Sequence, residues 1–110
     1  MTDTTRIRPL SLPAMWDALK ATEIEYDAAC VIEDAALRAD GVGSGTARID
    51  AATARADGFE ARMSAIITAM RDTPVTSLAD LAVKARLAAS RSDDRLTCAA
   101  LARDVLAFTA

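Results

Sequence analysis

The side chains in this sequence that could do chemistry are two cysteines, a scatter of carboxylates and one basic cluster; histidine does not occur. Its absence removes the usual general base, the imidazole metal ligand and every Ser-His or Cys-His pairing. A di-iron four-helix site built on Glu-x-x-His is excluded for the same reason. Glu23, Glu33 and Glu60 could in principle form an all-carboxylate metal site. Solvated helix faces account for Glu23 and Glu60, so neither metal nor other cofactor is expected. Cys30 and Cys98 lie far apart, share no metal-like spacing and fall on apolar stripes. Both read as small core fillers, kept as free thiols in a reducing cytoplasm. No catalytic residue is assigned, and the chain does not read as an enzyme.

Glu33 falls among Met15, Tyr26 and Leu37 by helical angle, on an apolar face instead of beside one. A carboxylate there calls for a partner: an arginine such as Arg55 or Arg62, or the Tyr26 hydroxyl. The alternative is a specificity device at a dimer seam, or a carboxylate lining a small pocket. Lys84, Arg86, Arg91 and Arg95 form a local basic excess, interrupted by Asp93 and Asp94. The glycine-rich "GVGSG" at 41–45 follows no strand and precedes no Lys-Ser/Thr pair, so it is a connector and not a phosphate cradle. The stretch "TPVTSLADLAVKARLA" at 73–88 resembles the start of a helix-turn-helix unit. Its helix runs too long for a first helix of that motif. The following one opens on two aspartates where phosphates would approach.

These residues must be placed by helices. Every segment between the breaks has helical periodicity, and none alternates as a strand would. Ser11 caps the first helix, with Pro13 in its first turn. "DGVGSG" at 40–45 holds three of the four glycines and is a loop. "DTP" at 72–74 stops the second long segment, and "SRSDD" at 90–94 is a softer break. Helices are expected over 13–39, 46–72, 77–90 and 94–108. In the second, Ile49, Ala52, Ala56, Phe59, Met63, Ile66 and Met70 form an a/d seam. Gly58 interrupts its outer face, where a close backbone approach is expected. The first helix has two apolar faces. One carries Met15, Leu19, Tyr26, Cys30 and Leu37 with Trp16 at its margin; the other carries Ile24, Val31 and Ala35.

In the third helix Leu78, Leu81, Ala82, Ala85 and Ala88 make a narrow stripe, opened by a Ser77–Asp80 capping box. In the fourth, Cys98, Leu101, Val105 and Phe108 repeat the a/d spacing. The expected fold is all-α and four-helix bundle-like: a long antiparallel helical hairpin plus two shorter C-terminal helices. Residues 1–10 read as a flexible N-terminus and 11–110 as a single helical domain.

Composition sets the function classes. Hydrophobic residues are 52% of the chain but aromatics only 4%, and alanine supplies 26 positions. Such helices form readily yet bury little area each, which makes self-association a natural remedy. A net charge of −3 and a pI near 4.8 give no global pull toward nucleic acid or anionic membranes. "PLSLPAMW" at 9–16 is as long as any uncharged stretch, so no membrane span is expected. No apolar run follows Arg6 and Arg8 to serve as a signal core.

The stretch "DTPVTSLADLAVKAR" with the later "LTCAALARDVLAF" resembles short alphaproteobacterial proteins, some prophage-associated. Their long amphipathic helix is followed by a Pro-x-Thr-x-Leu-x-x-Leu-x-x-Lys pattern. Pro74, Thr76, Leu78, Leu81 and Lys84 carry the likeness here, over roughly the C-terminal 40 residues. It implies a helical fold and transfers no catalytic residue. The expected role is a cytoplasmic protein-interaction or structural module whose partner is itself, as a homodimer, or another protein. Trp16, Ile24, Val31 and Glu33 are its interface candidates. The alternative is a small DNA-binding regulator using the 77–108 helix pair, with Lys84, Arg86, Arg91 and Arg95 as its patch.

Overall fold

A computed structural model describes residues 10–41 and 46–109. The expectation for residues 1–10 falls, apart from Leu10, outside them, as does most of the 40–45 loop. Four helices account for nearly all of what is described: α1 Leu12–Asp40, α2 Ala47–Asp72, α3 Leu78–Ser90 and α4 Arg95–Thr109. The protein is all-α, a long antiparallel hairpin plus two shorter C-terminal helices. Each end lies within a residue or so of the expected position, because the local stop and start chemistry is strong.

Ser11 caps α1, its Oγ accepting from Ala14 N–H at 3.2 Å. Gly41 ends the helix at φ +88°, donating its N–H to the Leu37 carbonyl at 2.9 Å. A left-handed residue at this position is where glycine carries no steric penalty. Thr46 caps α2 through Ile49 N–H, and its hydroxyl donates to Asp40 Oδ2 at 2.7 Å. Arg48 also donates to Asp40. One carboxylate at the end of α1 therefore holds the beginning of α2. The Ser77 hydroxyl accepts from Asp80 N–H at 3.1 Å. The reciprocal half of the expected box is displaced by one residue: Asp80 Oδ2 accepts from the N–H and hydroxyl of Thr76. Asp94 caps α4 through Leu96 and Thr97.

The chain forms two compact units. Ala18–Ala69 is a helical hairpin. Its buried face runs through Leu19, Thr22, Ala29 and Ala36 on α1 and Ile49, Ala52, Ala56 and Ile67 on α2. Ala36, Ile49 and Ala52 cluster, with Leu37 against them. Of the expected α2 seam Ile49, Ala52, Ala56 and Met70 are buried, while Phe59, Met63 and Ile66 are only partly so and Ile67 is buried beside them. A straight helix slips about 20° per heptad against a 3.5-residue repeat. A Cβ on Gly58 would meet nothing within 4 Å, so the expected backbone approach is not made within the chain.

The second unit is Met70–Ala110 with the N-terminal stretch ending at Asp17. Leu12, Met15, Met70, Val83, Leu87, Ala88 and Ala100 are its buried apolar residues. Here the expected phases are wrong. Leu78 is 72% exposed, and α3 turns Val83, Lys84, Leu87 and Ala88 inward. In α4 the buried line is Thr97, Ala100 and Asp104, one residue away from Cys98, Leu101, Val105 and Phe108. Alanine is common both inside and outside proteins, so an alanine-rich helix signals its phase weakly. Two charged residues turned inward then mislead the pattern.

Three capping or clamping carboxylates have pKa values lowered from the ordinary 3.8. Arg48, then Thr46, lowers Asp40; the Thr76 N–H leads for Asp80; the Thr97 hydroxyl leads for Asp94. A depressed folded pKa contributes stability that is present above the unfolded value and lost as pH falls through the folded one. These groups should leave the thermal midpoint flat above about pH 5 and lower it between about pH 4 and 2. Melts of the Asp80→Asn and Asp94→Asn double variant should show a shallower acid decline than wild type; an equal slope would refute the assignment.

Candidate functional site

The hairpin unit carries the largest unpartnered apolar feature among its described residues. Ile24 is 70% exposed and Val31 69%, on the α1 face away from α2; Ile32, 54% exposed, lies between that face and α2. A helix buries one stripe against its hairpin partner, and this second stripe has no counterpart within the unit. The expectation of a two-faced first helix holds for its second face. On the first face, Thr22, Ala29 and Ala36 are the inner residues, whereas Cys30 and Leu37 sit at its edge.

Beside the ridge runs an open groove of about 770 Å³. Ile32, Ala35 and Ala39 form one wall, and Arg48, Ala51 and Arg55 the other. Alanines make it shallow and apolar, and the two guanidinium groups make the α2 rim positive. Arg48 is held by Asp40. Arg55 and Arg62 both lie over the Phe59 ring, at 5.6 and 5.5 Å from its centroid.

Glu33 is half-buried in the hairpin. Its Oε2 accepts from the Thr53 hydroxyl at 2.7 Å. The expected partners Arg55 and Arg62 are drawn to Phe59 instead. A small hydroxyl directly across the seam satisfies the carboxylate without a second long side chain. The Tyr26 hydroxyl is pushed up by its hydrogen bond with Cys30, with smaller contributions from Glu60 and Glu33. Trp16 is half-buried and belongs to the other unit, so it does not share the exposed α1 ridge of the hairpin.

The expected basic patch needs a correction. Lys84 is 2% exposed, with its Nζ donating to Asp104 Oδ2 at 2.5 Å and to the Arg71 carbonyl at 3.0 Å. It lies in the interior because the α3 phase that buries Val83 and Leu87 turns position 84 inward too. Arg86 and Arg95 are exposed and Arg91 partly so. Arg103 donates to the same Arg71 carbonyl at 3.0 Å and lies 3.6 Å from Asp104 Oδ1. Arg71 reaches Asp94, the α4 cap, at 3.7 Å. Sequence reasoning missed Asp104, Arg71 and Ile32. Twenty residues separate Lys84 from Asp104, a distance at which no local pattern links two charges.

Among the described residues, the two cysteines are free thiols and no three Cys, Asp or Glu side chains converge as a metal cage. No protein family, curated protein or solved structure matches the chain.

Lys84→Ala would leave Asp104 buried and unpaired, at a cost of about 3–5 kcal/mol. The joint Lys84→Met and Asp104→Leu variant should regain most of that loss. Urea unfolding of the three proteins checks it, and a Lys84→Ala cost below about 1 kcal/mol would mean the pair is solvated.

Proposed function

We propose that this chain is a non-enzymatic, cytoplasmic helical module that acts by association, with itself as the first partner. What carries the reading is the Ile24–Val31 ridge, which with Ile32 beside it stays exposed after the hairpin has formed. Two large aliphatic side chains one heptad apart, with Ile32 at the edge of the adjoining apolar groove, are what an association surface offers to a partner. Covering each would contribute about 1–2 kcal/mol at these exposures. No described helix is long and apolar enough to cross a membrane, so the ridge is read as facing protein. The second reading, DNA contact through α3 and α4, has lost Lys84 to the interior, and no observation favours it.

Light scattering across concentration tests the proposal. Wild type should be dimeric in the micromolar range. The Ile24→Glu and Val31→Glu double variant should be monomeric with unchanged far-UV circular dichroism, because two charges would have to be desolvated at the seam. A wild-type monomer at every concentration, or a dimer untouched by the double variant, overturns it.

A further inference from the structure

We draw no further inference here: the strongest candidate, the alanine-lined groove on the α2 side of α1 next to the exposed Ile24 and Val31, carries nothing, because the charges around it are already paired within the hairpin, Glu25 with Arg62 and Arg48 with Asp40, and nothing in the structure shows what covers it.

Discussion

The C-terminal unit depends on the buried pair between Lys84 and Asp104. A lysine that is 2% exposed must find compensation for its lost hydration. It finds a carboxylate on α4 and the backbone carbonyl of Arg71 at the end of α2. Three helices thereby meet at one ammonium group. Arg103 reinforces the same carbonyl, and the Arg71 side chain reaches the aspartate that caps α4. The last carbonyls of a helix carry partial negative charge and lack internal partners, so two cations at Arg71 suit the end of α2. A unit with so few large apolar residues gains a defined register from this arrangement. An all-alanine contact would leave α3 and α4 free to slip.

The hairpin unit answers the shortage of large side chains differently. Its core is lined with Ala29, Ala36, Ala52 and Ala56, which lets the helices approach closely. Its polar contacts are short and local to the seam: Glu33 with Thr53, and Asp40 with Thr46 and Arg48. With small residues turned inward, three of the larger aliphatic residues of α1 remain outside. Exposed aliphatic residues on an alanine-cored hairpin follow from how little the core itself can use, and they are the feature from which association is proposed.

Helix existence and ends were legible because they rest on local chemistry. Ser11, Ser77, Asp94 and Gly41 act within a few residues of themselves, so their types and positions suffice. The second apolar face of α1 was also legible, since Ile24 and Val31 are one heptad apart and cannot join the face of Leu19. The α3 and α4 phases were not. Lys84 on α3 and Asp104 on α4 are charged residues that face inward, so the apolar pattern pointed each helix away from its true face, and Leu78 was counted as core although the residue is exposed.

By itself, then, the sequence determined an all-α chain with its breaks in place, and a histidine-free surface without the usual catalytic pairings. Those properties are set by residue type and by contacts within one turn of a helix. Tertiary structure alone decided that Lys84 faces inward to Asp104, that Glu33 is met by Thr53, and that a groove lies beside the α1 ridge. Each of these joins positions about twenty residues apart or a wall on each of two helices. For such pairs the energy lies in desolvation and in fit across an interface, and neither leaves a periodic trace along the chain.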